Sequence, residues 1–399
     1  VREDIMQYRK LGKSDIKVSV LGFGCMRLPV IEEGYEHLSI MERPVNVDEA
    51  EKLLVYAAEN GINYFDSAYV YHGGKSEEIL GKAIKPYRDK VYIATKLPVM
   101  LVQKKFDVER FIDEQLKRLG TDYIDFYLLH GLNRRGWPLM KEYDALAFLD
   151  RLKSDGRIRY AGFSFHDDVN IFKEIVDSYD WTMCQIQYNY FDENRQAGKE
   201  GLRYAAGKGI GVVIMEPLRG GRLTDDIPSS IQSLWDSAPK KRSPAEWALR
   251  WVFNHPEVSL ALSGMNSMEQ LRENIKTAEN TLPDSMSTDE IELIEKVKKE
   301  YEEMLQINCT GCAYCMPCPN GVNIPSNFSA FNDYHLFGDK IGPIIEYNII
   351  MPEDQRASAC VECGECEEKC PQQIAIMDEL KKVQNLLYTK NPPTLPFGD

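Results

Sequence analysis

Two sets of residues in this 399-residue chain could do chemistry. Near one end, Cys309, Cys312, Cys315 and Cys318 stand two residues apart and run into Pro319; Cys360, Cys363, Cys366 and Cys370 follow with gaps of two, two and three and run into Pro371. Thiolates packed this tightly hold metal, either iron with sulfide, which moves single electrons, or zinc, which also accepts four thiolates. Three cysteines in succession at this spacing favour iron and sulfide, because zinc sites usually pair two separated knuckles. The first ten residues, VREDIMQYRK, contain no apolar signal core, so clustered cysteines here point to metal rather than disulfides. The other two cysteines, Cys25 and Cys184, lie in apolar stretches and are expected in the core.

The second set is spread along the front of the chain. YFDSAYVYHGG carries Asp66 and, five residues on, Tyr71; IATK ends in Lys96; YLLH ends in His130. Together these types suit the reduction of a carbonyl by hydride, which leaves an alkoxide needing a proton. A tyrosine is a poor acid unless its anion is stabilised; a neighbouring ammonium does that, and a carboxylate holds the ammonium in place. A histidine can orient the carbonyl oxygen. None of the four is informative alone; the combination is.

Each of these side chains sits at the end of a short apolar run, and such runs recur. Strand candidates are 18–24, 62–66, 91–95, 124–130, 158–164, 183–187, 211–216 and 259–264, alternating with helix-period segments such as VDEAEKLLVYAAENG and DVERFIDEQLKRLG. The latter carries Asp near its start and Gly at its end, as helix termini prefer. Apolar strands joined by crossover helices imply a parallel sheet covered on both faces. Eight over about 280 residues fit an α/β fold of the closed (β/α)8 TIM-barrel type. The alternative, an open doubly wound sheet, usually shows GxGxxG after its first strand; here that strand ends in GFGCM. A barrel gathers its active site at the C-terminal ends of the strands, where Asp66, Tyr71, Lys96 and His130 would converge.

With these residues in place the sequence resembles the aldo-keto reductase superfamily, over roughly residues 6–280. The likeness rests on YRKLGKSDIKVSVLGFGCM, NYFDSAYVYHGGKSEEILGKAI, ATK, LLH, KSDGRIRYAGFS, CQIQYN and SGMNSMEQLRENI. It implies NADPH or NADH as hydride donor and a small-molecule aldehyde or ketone as substrate. It implies Tyr71 as general acid, Lys96 and Asp66 as its tuners and His130 as the group orienting the carbonyl. Ser164 and Gln185 match residues that hold the nicotinamide carboxamide. Met215 stands where many relatives stack an aromatic ring. Pro217, Leu218, Arg219, Gly220 and Arg222 match the loop over the pyrophosphate. Gly264, Asn266, Gln270, Glu273 and Asn274 fall in the stretch that binds the adenosine half. Two departures matter. Ser164 is followed by Phe165-His166 rather than the Asn of many relatives. Neither Lys nor Arg stands at the positions around Gly264 and Gln270 where NADPH-preferring relatives pair a 2′-phosphate, which leaves NADH open. Residues 27–45 are long for a barrel loop and could cover the site; Trp137 could wall a pocket, and Arg134 and Arg135 could attract an anionic substrate.

The cysteine module resembles ferredoxins with two [4Fe–4S] clusters, and the 41 residues between its runs suggest a mainly helical variety. That resemblance implies that each run lends its last cysteine to the other cluster. One cluster would be held by Cys309, Cys312, Cys315 and Cys370, the other by Cys360, Cys363, Cys366 and Cys318. The expected organisation is a barrel over 1–285, a helical connector over 286–305, the ferredoxin-like domain over 306–375 and a Pro-rich tail over 376–399.

Composition limits the partners. The chain carries a net charge of −14, and residues 301–399 hold 14 acidic and 6 basic side chains. That balance opposes nucleic-acid binding, since nothing there would neutralise phosphates, and could dock a basic redox protein. No apolar run approaches the roughly 20 residues of a membrane span, and the expected location is the cytoplasm. The two halves pose a mismatch: nicotinamide gives a hydride, a cluster takes one electron, and no flavin signature is present to convert between them. The clusters could transfer electrons or sense redox state beside a working carbonyl reductase. Alternatively, the chain could be an electron-transfer or redox-regulatory protein whose barrel binds a nucleotide and docks a partner without reducing carbonyls.

Overall fold

The computed structural model describes residues 6–35, 43–105, 107–225, 227–309, 311, 315–337, 339–370 and 372–393. The described residues form ten strands: β1 (Tyr8–Lys10), β2 (Lys17–Ser19), β3 (Leu21–Gly24), β4 (Tyr64–Asp66), β5 (Tyr92–Leu97), β6 (Ile124–Leu132), β7 (Ile158–Phe165), β8 (Met183–Gln187), β9 (Gly211–Met215) and β10 (Val258–Ser263). Strands β3 to β10 form a closed barrel in chain order, every pairing parallel, with β10 returning to β3 through Ala261↔Leu21 and Ser263↔Phe23. The fold class is therefore a (β/α)8 barrel, and each of the eight expected strands is present.

The expected strand 18–24 divides at Val20. Its first part, β2, pairs antiparallel with β1 through Tyr8↔Ser19 and Lys10↔Lys17; only the second part joins the barrel. The turn of this hairpin is forced by close approach. Gly12 has φ +57°, and a Cβ there would lie 2.3 Å from the Gly209 carbonyl oxygen, so only glycine fits. Leu11, Ile16 and Val18 from the hairpin pack with Tyr64, Ala94, Phe126, Leu128, Met183, Val213 and Leu260 from the strands in one buried cluster. The interior is thus filled with side chains, as barrels of this size require.

Local signals set the helices. Asp168 accepts from the Asn170 and Ile171 N–H groups at the start of helix Val169–Asp177, and Ser267 accepts from Gln270 at the start of Met268–Glu279, the usual use of a short polar side chain before a helix. Helix Asp107–Leu119 ends at Gly120, φ +60°, as its sequence indicates.

Contacts divide the chain into two compact units: residues to Gly220 with Pro244–Ser287, and Gly221–Ser243 with Thr288–Leu395. The segment 221–243, in the middle of the expected barrel domain, therefore packs with the C-terminal unit. Within that unit Arg242 pairs with Glu290 at 2.7 Å. Helix Ile376–Leu387, in the expected tail, is part of the small core: Ile376, Leu380, Val383 and Leu387 are buried with Val322, Phe328, Tyr347 and Cys366. The spacing 376, 380, 383, 387 is one apolar face of a helix, a signal masked in the sequence by the prolines that follow. Residues 394–399 of the expected tail lie outside the described residues.

Candidate functional site

The barrel register brings the acid–base residues together. Asp66 pairs with Ala94, Lys96 with Leu128, Leu128 with Gly162, and Ser164 with Gln185. Each strand then adds two residues to return to the same face: Ala94 to Lys96, Leu128 to His130, Gly162 to Ser164, Val213 to Met215. The inward side chains of β4 to β9 consequently end in Asp66, Lys96, His130, Ser164, Gln185 and Met215. Tyr71 is delivered by the short helical turn Tyr71–Gly74 after β4, where His72 (φ 50°), Gly73 and Gly74 all take left-handed backbone.

The Lys96 ammonium is fully buried and donates to Asp66 Oδ1 at 2.5 Å and to the Ser67 carbonyl at 2.7 Å, with Tyr71 Oη at 3.5 Å. Asp66 Oδ2 accepts from Gln185 Nε2 at 2.5 Å. The Tyr71 and His130 rings meet edge to face, centroids 5.8 Å apart. Burial works against the Lys96 charge, but Asp66 and Tyr71 outweigh it and its pKa is raised. Tyr71 is also raised: burial prevails over the ammonium, which acts in the opposite direction. The phenol therefore stays protonated, the form an acid needs. Burial, then Lys96 and His166, holds His130 well below its ordinary value and hence neutral.

A buried polar network backs the site. Glu77, with no exposed surface, accepts from Thr95 Oγ1 at 2.6 Å, Gln115 Nε2 at 2.7 Å and Arg118 Nη1 at 3.2 Å. Gln115 also donates to the Lys96 carbonyl, and Arg118 to the Tyr69 carbonyl. Strand β5 and the Tyr71 turn are thereby fixed from behind, and satisfied buried networks of this kind rigidify a structure.

The expected nucleotide residues are placed as follows. Ser164 is buried and its Oγ accepts from the Gly131 N–H at 2.8 Å. Gln185 Oε1 is buried and has no hydrogen-bond partner among the described residues. Met215 is half-buried at the end of β9, Pro217 buried and Leu218 half-buried. Arg219 (φ 52°) is buried and donates from Nε to Asp192 Oδ2 at 2.9 Å; Gly220 has φ 66°. Gly264 is exposed, the Asn266 N–H donates to Gln270 Oε1 at 3.0 Å, Glu273 is half-buried, and buried Asn274 donates to Ser263 Oγ at 3.1 Å. Arg222 belongs to the other unit, where its guanidinium donates to Asp333 Oδ2 at 3.0 Å and Asp339 Oδ2 at 2.8 Å. Of the substrate-loop expectations, Trp137 is buried and donates from Nε1 to Glu174. Arg134 is held by Asp167 and Asp168.

Two residues were given no site role in the sequence reading. The Arg27 side chain runs past both nucleotide-loop glycines: a Cβ on Gly220 would lie 2.8 Å from Arg27 Nη2, and one on Gly264 3.2 Å from Arg27 Cβ. His166 donates its backbone N–H to Leu132 on β6, and its Nδ1 lies 3.2 Å from Gln196 Oε1. Arg27 directly follows GFGCM at a strand end, which was the available signal.

In the other unit, Cys318, Cys360, Cys363 and Cys366 line one cavity with Val322 and Leu380. These are the four thiols expected around one cluster, one from the first run and three from the second. Cys309, Cys315 and Cys370 pack against the same small core; Cys312 lies outside the described residues. Among the described residues no three His, Cys, Asp or Glu side chains close on a single point as around one ion.

Residues 21–298 match the Aldo/keto reductase family. The chain belongs to that family. Residues 308–375 match a 4Fe-4S dicluster domain. An uncharacterized oxidoreductase of Bacillus subtilis is 30% identical over 303 residues, 68% of this chain and 91% of the relative. An NADH-specific methylglyoxal reductase of Escherichia coli is 26% identical over 337 residues, 72% and 98%. An aldo-keto reductase of Bacillus halodurans in its holo form superimposes with TM-score 0.61 at 28% identity, covering 73% of this chain and 96% of that one. This aldo/keto reductase is thus an NAD(P)H-dependent oxidoreductase with a C-terminal 4Fe-4S domain. Its residues fit a nicotinamide nucleotide: Gln185 Oε1 is a buried acceptor in want of a donor, and the Arg27 guanidinium lies beside the loop glycines. Among the described residues no helix is long and apolar enough to cross a membrane.

Proposed function

We propose that the barrel reduces a small aldehyde or ketone to the alcohol with Tyr71 as the proton donor. The observation that carries this reading is a buried, protonated phenol beside an ammonium that Asp66 locks in place. Nicotinamide, when bound, supplies hydride to the carbonyl carbon. The protein's own residues manage the oxygen: Tyr71 Oη gives its proton as the C=O π bond breaks, Lys96 stabilises the phenolate left behind, and neutral His130 holds the oxygen in position. Asp66 keeps Lys96 charged. Gln185 and Ser164 would hold the carboxamide and Arg27 the pyrophosphate. NADH is favoured as donor, because neither Lys nor Arg occupies the sequence positions around Gly264 and Gln270 where NADPH-preferring relatives pair a 2′-phosphate; the NADH specificity of the Escherichia coli relative supports the same choice.

In the C-terminal unit, Cys318, Cys360, Cys363 and Cys366 would hold one [4Fe–4S] cluster, and Cys309, Cys312, Cys315 and Cys370 the other. Each supplies one-electron chemistry when bound. Exposed Cys363 and Val361, ringed by exposed Glu362, Glu365 and Glu368, support access by a basic redox partner.

The test is anaerobic. Aldehyde and ketone panels are assayed with NADH and NADPH in the wild type and in Tyr71→Phe, while cluster absorbance is followed on adding nucleotide. The reading expects NADH-dependent carbonyl reduction that Tyr71→Phe removes. Failure of the wild type to reduce any carbonyl, with the variant indistinguishable from it, overturns it. Bleaching of the clusters by NADH alone would join the two chemistries.

A further inference from the structure

A directed chain of hydrogen bonds runs through the loops after β8 and β9. It starts at Asp192, whose carboxylate can only accept. Burial pushes its pKa up, but Arg219 and Arg195 outweigh burial and hold it below the ordinary value, so it is ionised. Asp192 Oδ2 accepts from Arg219 Nε at 2.9 Å, from Asn189 Nδ2 at 3.1 Å and from Gln187 Nε2 at 3.1 Å. Gln187 must therefore turn its amide oxygen the other way, and that oxygen accepts from Gln196 Nε2 at 2.8 Å. Gln196 is oriented in turn, with Oε1 facing His166 Nδ1 at 3.2 Å. An amide oxygen cannot donate, so His166 carries its proton on Nδ1. The neutral ring then presents Nε2 as a bare acceptor. That atom has no hydrogen-bond partner among the described residues, His166 is exposed, and the charges acting on its ring are those of Glu216 and Arg195.

The loops are strained to build this chain. Gln196 (φ 57°), Glu216 (φ 52°) and Arg219 (φ 52°) are non-glycine residues with left-handed backbone, a conformation that persists only where its surroundings impose it. Asn189 also donates to the Glu216 carbonyl at 3.2 Å, tying one loop to the other.

His166 lies at the end of the strand that adjoins the one carrying His130. His166 follows the last residue of β7, and its N–H bonds the carbonyl of Leu132, two residues beyond His130 on the adjoining strand. The charge interaction that lowers His130 includes His166. A fixed acceptor next to the group that orients the carbonyl oxygen suits a substrate with a donor next to its carbonyl.

We propose that His166 is a specificity-determining residue whose Nε2 accepts a hydrogen bond from a hydroxyl on the carbon adjacent to the substrate carbonyl, so that the site favours α-hydroxy aldehydes and ketones. Gln187 and Gln196 are positioning residues that set its tautomer. This inference rests on the carbonyl-reductase reading above.

The probes are hydroxyacetone and acetone, which differ by one hydroxyl, assayed with NADH in the full cluster-bearing protein. Wild type is expected to prefer hydroxyacetone in kcat/KM by about tenfold or more, since a site built to bond a hydroxyl discriminates against the analogue lacking it. His166→Phe should bring the ratio close to one, with the loss in kcat/KM for hydroxyacetone and little change for acetone. Gln196→Leu should lower the ratio in part. Nitrogen-15 spectra of the imidazoles should show His166 protonated on Nδ1 in wild type and as a tautomer mixture in Gln196→Leu. Equal use of both ketones by wild type, an unchanged ratio in His166→Phe, or a proton on Nε2 overturns the assignment. So does a weakened NADH Kd in His166→Phe with the hydroxyl preference intact, which would give the acceptor to the carboxamide. If wild type reduces neither ketone nor any other carbonyl, the carbonyl-reductase reading fails and takes this one with it; reduction without hydroxyl preference removes this one alone.

Discussion

The acid–base site of the barrel and the thiol sites of the C-terminal unit are built on opposite plans. In the barrel, every candidate group sits on or just after a strand whose register with its neighbours is fixed, and Asp66, Lys96 and Gln185 are all but fully buried. The Lys96–Asp66 pair is held by backbone ladders in front and the Glu77 network behind. In the C-terminal unit the described cysteines lie in irregular segments and a turn, apart from Cys366 in the four-residue helix Glu365–Glu368; Cys363 is exposed. Backbone determines the first geometry. In the second, thiolates would gain their full order from the inorganic core proposed for them, because metal binding and folding are coupled in small cysteine-rich units. The difference implies that single substitutions in the barrel act through charge and hydrogen bonding, whereas in the thiol sites they act through loss of a whole cluster.

The largest effect should come from breaking the buried pair. Lys96→Met leaves Asp66 buried without its charge partner, a change that costs about 3–5 kcal/mol, and it removes the group proposed to stabilise the Tyr71 anion. Carbonyl reduction should fall by about 10²–10⁴-fold, the range of general-acid contributions, with a lower midpoint in urea unfolding. The double variant Asp66→Asn with Lys96→Met should lose less stability than the two single changes combined, because no charge is stranded. Additive losses would show that the pair is not the unit it appears to be from its 2.5 Å contact.

Cys366→Ala tests the other plan. Iron and sulfide content should fall by about half if each cluster has four cysteine ligands, the unfolding of the C-terminal unit should shift to lower denaturant, and NADH-dependent carbonyl reduction should survive. Loss of all iron would mean that the two cysteine runs do not form separable sites. Loss of carbonyl reduction with half the iron retained would mean that the barrel chemistry requires that cluster.

The same contrast governs what the sequence disclosed. Asp66, Lys96 and His130 were legible because each closes a short apolar run that marks a strand. Tyr71 was legible by its company. The cysteine runs were legible because their spacing is local. Arg27, by contrast, meets Gly220 and Gly264 across about half the chain, and the relay from Asp192 to His166 depends on the amide orientations of Gln187 and Gln196 and reaches from the segment after β8 to the one after β7. Neither leaves a local pattern. The hairpin β1–β2 was hidden because its second strand runs directly into the barrel strand, and helix Ile376–Leu387 because its apolar face was read with the proline-rich residues after it. Arg222 was assigned to the pyrophosphate loop through the family resemblance, while its structural partners, Asp333 and Asp339, lie more than a hundred positions away.

A smaller effect should follow from Arg27→Ala. Its guanidinium is exposed and offers charge-assisted hydrogen bonds, which contribute about 1.5–3 kcal/mol where they are made; screening at an exposed position places the expected loss at the low end, about tenfold in NADH Kd by fluorescence titration. The loss should shrink with added salt. Arg222→Ala, whose guanidinium is engaged by Asp333 and Asp339, should change NADH binding less than Arg27→Ala. The reverse order would return the pyrophosphate to Arg222.

The pH profile should show the least change, and its flatness is the informative feature. His130 is held well below its ordinary pKa by burial, then by Lys96 and His166, so its neutral form extends to more acid pH than usual. Tyr71 is held above its ordinary value by burial despite Lys96, so its protonated form extends to more alkaline pH. Both active forms therefore coexist throughout the interval between the ordinary values, about 6.5 for histidine and about 10 for tyrosine. Because kcat/KM reports groups of the free enzyme, carbonyl reduction should be level across that interval, declining below it as His130 protonates and above it as Tyr71 ionises. A limb well inside the interval would mean that Lys96 outweighs burial at Tyr71, or that another group carries the proton. Measuring the reaction again in Tyr71→Phe separates the two: in the first case activity is lost with the phenol, and in the second both the activity and its alkaline limb stay.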